Sequence, residues 1–399
     1  MNFLRLFGIG LAAIAAVSAT GCAATGAEGR TLLGDQPYDK DILFWDQGQR
    51  DAGFRMIDQM PLIAESREIA SGTDVHPLSA GDPLVLDINV GDYIYDNRTS
   101  GLVVLHGGKV RLERYSLNFK ADGRWTSFSV AKSMTSTLVG AAVADGAIAS
   151  IDDPVANYIE ELRGSAYDDV TVLQLLTMTS GVAWNEDYDD PNSDVARFNT
   201  LAVEPGQSAI ATYMASLDRA HPAGRVWHYS TGETNLIGVL VSRATGKSLA
   251  DYLSEKIWKP YGMQQDASWL LGTDGQEISG CCIQASVRDF ARFGQFILDG
   301  GTTANGPVLP DGWLSKATQA QVGYGVPGEG YGYQWWTWDD GSFQADGIFG
   351  QGIFIDPSRD LVIASNSSWT SALGDRDGEF EARKAFYKAV QRAIDSDTQ

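Results

Sequence analysis

Strand-like segments lie at both ends of this chain, and mostly helix-like segments lie between them. Residues 102–115 contain two strand-like runs around Gly107 and Gly108, a pattern typical of a β-hairpin. Strand-like runs return only near the C-terminus, at 331–338, 352–355 and 361–364. We therefore expect the N- and C-terminal segments to share one mostly antiparallel sheet.

The middle of the chain favours helices, most of which end at a glycine. Small and apolar residues at 133–143 predict a buried helix that ends at Gly146. Further helices are predicted at 172–178, 236–244, 249–258, 287–298 and 379–394. Together these segments predict an α+β fold, in which helices flank the antiparallel sheet and others form a helical second lobe.

The N-terminus has the pattern of an export signal. Arg5 supplies a positive start, an apolar run follows at 11–17, and small residues lead to Cys22. The pattern resembles a bacterial lipoprotein signal peptide at 1–22, which predicts lipidation of Cys22 and a tether at 23–40. The expected location is the periplasm or cell envelope, with a soluble secreted form as the alternative. No later apolar run is long enough to cross a membrane, so the lipid would be the only membrane contact.

Residues 41–395 contain no linker, charge block or repeat, so we expect a single two-lobed domain there. The formal net charge of −21 argues against a nucleic-acid partner, because phosphate binding needs clustered Lys and Arg. The acidic loop at 186–190 is a candidate contact for cationic substrates, although such loops are more often simply solvated.

Histidines and cysteines give no sign of a metal site. The four histidines and three cysteines have none of the spacings of metal ligands, so neither a metal nor another cofactor is expected. Cys281 and Cys282 are adjacent, which is too close for an ordinary loop-closing disulfide, and they are predicted to be small buried residues.

Ser129 and Lys132 form the first pattern that indicates chemistry. A serine hydroxyl becomes a good nucleophile when a base takes its proton. Three residues apart on one helix, the two side chains would lie on the same face, about one turn from each other. Burial can lower the pKa of a lysine far enough for it to act as that base. The pattern alone is weak, because it also fits a helix N-cap followed by a solvated lysine.

Other motifs follow Ser129 and Lys132 in a characteristic order. Residues 175–181 are Leu-Leu-Thr-Met-Thr-Ser-Gly, residues 229–231 are Tyr-Ser-Thr, and residues 347–351 are Gly-Ile-Phe-Gly-Gln. In this order they resemble the serine β-lactamase and penicillin-binding-protein superfamily, in its class C and esterase-like branch. Residues 185–191, 334–336 and 367–369 add a resemblance to the 6-aminohexanoate-dimer hydrolases of that branch.

The resemblance implies a β-lactamase/transpeptidase-like fold and a role for several residues. Ser129 would be the nucleophile, Lys132 the general base and Tyr229 the proton shuttle to the leaving amine. Tyr188 would hydrogen-bond the departing nitrogen, and Thr231 would assist Lys132 or the substrate.

The oxyanion hole and the third motif of the superfamily are expected near Gly347. Ala345-Asp346-Gly347 stands where β-lactamases have Lys-Thr-Gly, and the missing cation lowers the expectation of antibiotic hydrolysis. Gly347 would let the substrate approach the strand closely. The amides of Ser129 and Ile348 would form the oxyanion hole.

Two departures from the 6-aminohexanoate-dimer hydrolase pattern concern the substrate. Phe349 replaces a histidine, and Gly280-Cys281-Cys282 replaces a glycine-rich turn. Neither involves the nucleophile, the base or the shuttle.

The sequence thus predicts a serine hydrolase that cleaves a small amide, resembling a 6-aminohexanoate oligomer, through an acyl-enzyme on Ser129. The alternatives on the same residues are a carboxylesterase, a β-lactamase or a D-amino-acid peptidase. From a different class comes a lipoprotein that binds wall peptides or β-lactams without turnover. The chain lacks the G-x-S-x-G motif of α/β-hydrolases.

Some other conspicuous side chains are predicted to be structural. His228 is expected to have a structural role rather than to act as a base. Trp335, Trp336 and Trp338 alternate with the strand period, so one face should be core and the other should line a pocket.

Overall fold

The computed structural model describes residues 40–60, 63–204 and 206–397. The predicted signal peptide, Cys22 and the tether up to residue 39 lie outside the described residues.

The main sheet joins the two ends of the chain. It has seven strands, and every neighbouring pair is antiparallel. In spatial order these are Lys109–Tyr115, Thr99–His106, Leu361–Ser367, Gln351–Asp356, Phe343–Gly347, Trp336–Thr337 and Gly330–Tyr331. The N-terminal hairpin pairs with the C-terminal strands through Val103 and Ala364. The predicted shared antiparallel sheet is therefore confirmed.

Helices cover both faces of this sheet, which is why its central strands are apolar on both sides. Leu102 and Val104 face the C-terminal helix Glu379–Asp397, while Val103 and Leu105 face the other way, toward the helix Val287–Leu298. All four of these strand side chains are fully buried. Alternate residues of a strand point to opposite faces, so each face has its own apolar core.

The second lobe is mostly helical, as predicted. Its two long helices, Val130–Ala144 and Thr231–Thr245, pack against each other. The remaining α-helices of the described chain are short: Gln47–Gly53, Val90–Asp96, Val172–Leu176, Asp194–Arg197, Ala209–Ala215, Leu249–Leu253, Lys259–Tyr261 and Trp313–Ala317. Short 3₁₀ segments occur at Ile42–Phe44, Ile57–Gln59, Val155–Asn157, Glu160–Leu162, Phe198–Thr200, Ile348–Gly350 and Pro357–Arg359.

A second sheet, which the sequence did not predict, supports the entry to the long helix Val130–Ala144. Its strands are Ser66–Ile69, Ala267–Leu270, Ile283–Ala285 and Trp125–Thr126, in that order. A two-stranded hairpin, Thr302–Thr303 with Gly306–Pro307, lies apart from both sheets.

Two predicted elements differ from the structure. The strand predicted at 331–338 is interrupted, because Gln334 adopts a left-handed backbone with φ of 63°. The side-chain amide of Gln334 donates to the carbonyls of Leu175 and Leu176, a tertiary contact that local sequence does not reveal. The helix predicted at 249–258 is α-helical only over Leu249–Leu253 and continues as a π-turn to Trp258.

No helix of the described residues has the length and apolar character needed to cross a bilayer. Clusters of three or more His, Cys, Asp or Glu that could hold a metal ion are absent from the same part of the chain.

Candidate active site

Ser129 lies at the start of the buried helix Val130–Ala144, where a sharp turn presents its hydroxyl to two cavities. The preceding residue, Phe128, has a left-handed φ of 40°. Such a conformation is unfavourable for a large side chain and persists only where the surroundings enforce it. Here the ring of Phe128 packs against Phe54 and Phe349, at 5.0 and 5.4 Å between ring centroids.

Lys132 lies one turn further along the same helix and contacts Ser129. Its Nζ donates to Ser129 Oγ at 3.0 Å, to Thr231 Oγ1 at 2.9 Å and to the carbonyl of Gly280 at 2.6 Å. Burial lowers the pKa of Lys132 to about 8, although the nearby carboxylate of Glu186 acts in the opposite direction. A sizeable fraction of this lysine is thus neutral in mildly alkaline solution, which a general base requires.

Tyr229 lies near Ser129, just before the start of the second long helix. It precedes Ser230, the N-cap of the helix Thr231–Thr245, and its ring centroid lies 5.1 Å from Lys132 Nζ. Burial raises the pKa of Tyr229 well above its ordinary value, and the charge of Glu186 adds to this rise, whereas a hydrogen bond with Ser129 opposes it. The hydroxyl therefore keeps its proton at neutral pH and is available as a donor.

Glu186 connects several of these groups, and sequence reasoning assigned it no individual role. Its carboxylate accepts hydrogen bonds from the amide and hydroxyl of Thr231, from the hydroxyl of Tyr188 and from the indole of Trp184. Thr231 in turn accepts from Lys132. The sequence signals for this residue were its place in the Asn-Glu-Asp-Tyr stretch at 185–188 and in the acidic loop at 186–190.

Asn235 is a further supporting residue without a sequence signal. Its side-chain oxygen accepts from the amide of Gly280 at 3.0 Å, and its side-chain amide donates to the carbonyl of Thr231 at 3.0 Å. Asn235 thereby fixes the backbone on both sides of the Lys132 ammonium.

Gly347 brings the end of the strand Phe343–Gly347 against the start of the Ser129 helix. A Cβ at this position would lie 2.7 Å from the Ser127 carbonyl oxygen and 3.1 Å from the Ser129 amide nitrogen, so only glycine fits. Ile348 opens a 3₁₀ turn and Ser129 caps an α-helix, positions whose amides lack a partner within their own helix. Both amides are thus free to bind an anionic oxygen.

Two cavities meet at Ser129, and Tyr188 and Ile348 also line both of them. The first has a volume of about 520 Å³. Its lining is mostly apolar and includes Leu43, Phe44, Ile63, Phe198, Leu270 and Ile278. The second has a volume of about 280 Å³ and is lined by Tyr229, Trp336, Trp369, Asp346 and Arg383, among others.

Cys281 and Cys282 form a disulfide with each other and line the first cavity; of the two, Cys282 is buried as expected, whereas Cys281 is only partly buried. Cys282 adopts a left-handed φ of 77°, a tight turn that was not predicted at this position. The turn follows directly on Gly280, whose carbonyl accepts from Lys132, so the departure at 280–282 does contact the predicted base, contrary to the sequence expectation.

Most of the remaining conspicuous side chains have the expected environments. His228 Nε2 lies 2.7 Å from the carbonyl oxygen of Trp184, a contact that suits a structural role. Trp335 and Trp338 are buried, whereas Trp336 lines the second cavity and stacks on Tyr229 at 5.6 Å. Trp335 and Trp336 divide between core and pocket as predicted, whereas Trp338, which has the same place in the strand alternation as Trp336, is buried as well.

The chain is similar to several characterised proteins. The β-lactamase family profile matches residues 90–387. The 6-aminohexanoate-dimer hydrolase of Paenarthrobacter ureafaciens is 30% identical over 331 residues, which cover 79% of this chain and 84% of that protein. A β-lactamase of Yersinia enterocolitica is 24% identical over 259 residues, which cover 59% of this chain and 60% of that protein.

Solved structures show the same fold. A Bacillus anthracis protein provisionally named 6-aminohexanoate-dimer hydrolase superposes with a TM-score of 0.77 at 22% identity, over 90% of this chain and 97% of that chain. A penicillin-binding protein from Bacillus halodurans superposes with a TM-score of 0.60 at 15% identity, over 75% of this chain and 99% of that chain. The fold is therefore the predicted α+β, β-lactamase/transpeptidase-like one.

With its profile match over most of the sequence, this chain belongs to the β-lactamase family, and it is a hydrolase of the superfamily that also contains the penicillin-binding proteins.

Proposed function

We propose that the protein cleaves a small amide or ester by two-step acyl transfer, with Ser129 as the nucleophile. The observation that carries this proposal is the 3.0 Å contact between Ser129 Oγ and the buried Nζ of Lys132. A serine hydroxyl in contact with a lysine of lowered pKa is activated for attack on a carbonyl carbon.

In the first step, neutral Lys132 takes the proton of Ser129 as its Oγ attacks the carbonyl carbon. The negative charge that develops on the carbonyl oxygen is held by the amides of Ser129 and Ile348. The bond to the leaving nitrogen or oxygen then breaks, Tyr229 donates its proton to that atom, and Lys132 returns a proton to Tyr229. The acyl group is left as an ester on Ser129.

In the second step, Lys132 takes a proton from water as the water oxygen attacks the carbonyl carbon of this ester. The bond between that carbon and Ser129 Oγ then breaks, and Lys132 returns the proton to Ser129. Gly347 lets its strand pack directly against the start of the Ser129 helix. Tyr188 donates to Glu186, so its oxygen remains free to accept an N–H of the departing amine. Thr231 holds Lys132 in line with Ser129.

An amide like those of 6-aminohexanoate oligomers is the first substrate to test, because the relative from Paenarthrobacter ureafaciens carries that name and matches most of the chain. A carboxylester is the second candidate, since the mostly apolar first cavity suits an uncharged acyl chain. A β-lactam is less favoured, because Ala345 stands where β-lactamases place a lysine.

The cellular location is proposed from the N-terminal sequence alone. Lipidation of Cys22 would anchor the enzyme in the bacterial envelope. Metabolic labelling with a palmitate analogue should mark the wild type and leave Cys22→Ala unlabelled, whereas equal labelling of both would contradict the anchor.

A fluorophosphonate probe tests the mechanism. Mass spectrometry should find one adduct on Ser129, and Ser129→Ala should lose both the adduct and hydrolytic activity. Ser315→Ala, at an exposed serine in the helix Trp313–Ala317, is the matched control and should behave like wild type. Activity retained in Ser129→Ala would disprove the proposal. An adduct with amide or ester substrates that never hydrolyses would indicate a binding protein instead.

A further inference from the structure

We propose that the second cavity receives the leaving group and that Asp346 makes it select leaving groups without a negative charge. This inference rests on the proposed acyl transfer at Ser129. It assigns to Asp346 the role of a specificity-determining residue.

The position of the proton donor decides which cavity holds which half of the substrate. Ser129 and Ile348, which supply the nucleophile and the oxyanion hole, line both cavities, so the carbonyl carbon lies where the cavities meet. Tyr229 lines the second cavity and, among the described residues, is absent from the lining of the first. Because Tyr229 protonates the leaving atom, the leaving group extends into the second cavity and the acyl group into the first.

Asp346 forms an ion pair with Arg383, the cation that lines the second cavity, and lies between it and the solvent. Arg383 Nη2 donates to both carboxylate oxygens of Asp346, at 2.8 and 2.9 Å, and Nη1 donates to the carbonyl of Gln351 at 3.1 Å. The guanidinium also lies 4.6 Å from the ring centroid of Trp369. The Arg383 side chain is 2% exposed and that of Asp346 is 19% exposed, so a bound group meets the carboxylate before it meets the cation.

The other charged group of this cavity is also acidic. Glu186 lines the cavity near Tyr229. Among the described side chains that line this cavity, the two carboxylates of Asp346 and Glu186 outnumber the single cation, Arg383. The Lys132 ammonium contacts Ser129 but does not line the cavity. A carboxylate on the leaving group would therefore be repelled, because both terminal nitrogens of Arg383 already donate, Nη2 to Asp346 and Nη1 to Gln351.

The walls of the cavity indicate what it accepts. Trp336 stacks on Tyr229, and Trp369 and Phe380 supply further aromatic surface. A volume of about 280 Å³ suits a group of the size of one aromatic ring or a short alkyl chain. The fitting leaving group is an uncharged aryl or alkyl amine or alcohol, so an uncharged ester of the 6-aminohexanoate dimer should be cleaved faster than the free dimer, whose departing amine carries a carboxylate.

A matched pair of esters tests this selection. The probes are 4-nitrophenyl butyrate and 3-carboxy-4-nitrophenyl butyrate, which share the acyl chain and differ by one carboxylate on the leaving group. Each kcat/KM is divided by the rate of hydroxide-catalysed hydrolysis of the same ester. We expect the wild type to prefer the uncharged ester by at least about tenfold, and the preference to weaken as NaCl screens the charges.

Variants identify Asp346 as the cause. Asp346→Asn keeps the shape but uncovers the Arg383 cation, so the preference should shrink by about tenfold or invert. Asp346→Asn should thus raise the normalised kcat/KM of the carboxylated ester. Adding Arg383→Met to Asp346→Asn should return that value toward the wild-type one. Asp340→Asn is the matched control, because Asp340 pairs with Lys388 of the same C-terminal helix and does not line the cavity. It should keep the wild-type preference.

The outcomes separate this inference from the proposed function. Equal normalised rates for the two esters in wild type, with Ser129 labelled by the fluorophosphonate, would overturn the charge selection and leave the acyl transfer intact. A preference unchanged in a folded Asp346→Asn protein would overturn the role of Asp346. If Asp346→Asn does not fold, the salt dependence of the wild-type preference decides, and a preference insensitive to NaCl overturns the inference. Absence of both labelling and hydrolysis would overturn the acyl transfer and the inference with it.

Discussion

At the residue scale, the chemistry depends on a lysine that is kept away from water. Lys132 is 1% exposed, and its three hydrogen-bond acceptors come from three separate segments of the chain. Those acceptors compensate only part of the lost hydration, so the charged form is destabilised.

The first prediction concerns the pH profile. The pKa of Lys132 is lowered to about 8, and the reactive form is the neutral one, so kcat/KM for an uncharged ester should rise with pH through a midpoint near 8. Activity is lost as pH falls below that value. Since the pKa of Tyr229 is raised well above its ordinary value, no fall is expected up to about pH 10. A midpoint above 9 would contradict Lys132 as the base, and Lys132→Arg, which cannot deprotonate, should be inactive.

A second residue-scale prediction concerns Glu186, a positioning residue that touches the catalytic groups without reacting. Its charge raises the pKa of Lys132, so Glu186→Gln should move the midpoint of the pH profile to lower pH. The variant should also lower kcat, because Thr231 and Tyr188 lose a charged acceptor.

The control for Glu186 is its neighbour Asp187, an exposed carboxylate. Asp187→Asn should leave the midpoint in place. A midpoint that stays or rises in Glu186→Gln would contradict the electrostatic role, and lost activity with an unshifted midpoint would indicate a purely structural one.

At the element scale, the helix Thr231–Thr245 carries a buried acid near its N-terminus. Glu233 is 2% exposed and contacts the hydroxyl of Ser180. Burial raises its pKa to about 8, although hydrogen bonds from Ser180 and Tyr167 act in the opposite direction. Glu233 is therefore protonated in the folded protein over a pH range in which the unfolded chain would be ionised.

This acid predicts a pH-dependent stability. Because the folded state binds the proton more tightly, the contribution of Glu233 is complete below about pH 4.5 and is lost as pH rises toward 8. The slope in the free energy of unfolding is at most about 1.4 kcal/mol per pH unit. Urea titrations of Glu233→Gln should show a flatter pH dependence than wild type, and Glu68→Gln, at an exposed glutamate, should not. Identical slopes in wild type and Glu233→Gln would show that the acid is ionised in the fold.

At the scale of the whole molecule, the C-terminal helix completes the sheet that positions the site. Phe386, Val390 and Ile394 of this helix are buried against one face of the main sheet, and Phe386 stacks on Tyr93. The same helix supplies Arg383 to the second cavity. Packing of the sheet and selectivity of the site are thus linked through one element.

Truncation of one of these side chains tests how much the helix contributes to the stability of the sheet. Phe386→Ala should lower the free energy of unfolding by about 3–5 kcal/mol, because it removes a large buried ring. Glu381→Ala, at an exposed position of the same helix, should change it by less than about 0.5 kcal/mol. A small effect of Phe386→Ala in denaturant titrations would mean that the helix contributes little to the sheet.

How far the fold could be predicted depended on how local each signal was. The hairpin at 102–115 and the helix Val287–Leu298 agree with the sequence patterns because periodicity and glycine stops act within a few residues. The strand predicted at 331–338 was wrong in its middle, since Gln334 is held by carbonyls more than 150 residues away. The small four-stranded sheet was missed because its strands have two to four residues each.

By itself, the sequence predicted the nucleophile and the base that we propose, because Ser129 and Lys132 lie one helical turn apart and that spacing is local. The order of Tyr229 and Gly347 behind them carried the resemblance to the superfamily. Only the tertiary structure decided what surrounds these residues: the carboxylate of Glu186, the Gly280 carbonyl beside the Cys281–Cys282 disulfide, and the Asp346–Arg383 pair. The physical reason is that these contacts join different segments of the chain, and their strength depends on burial that no local pattern encodes.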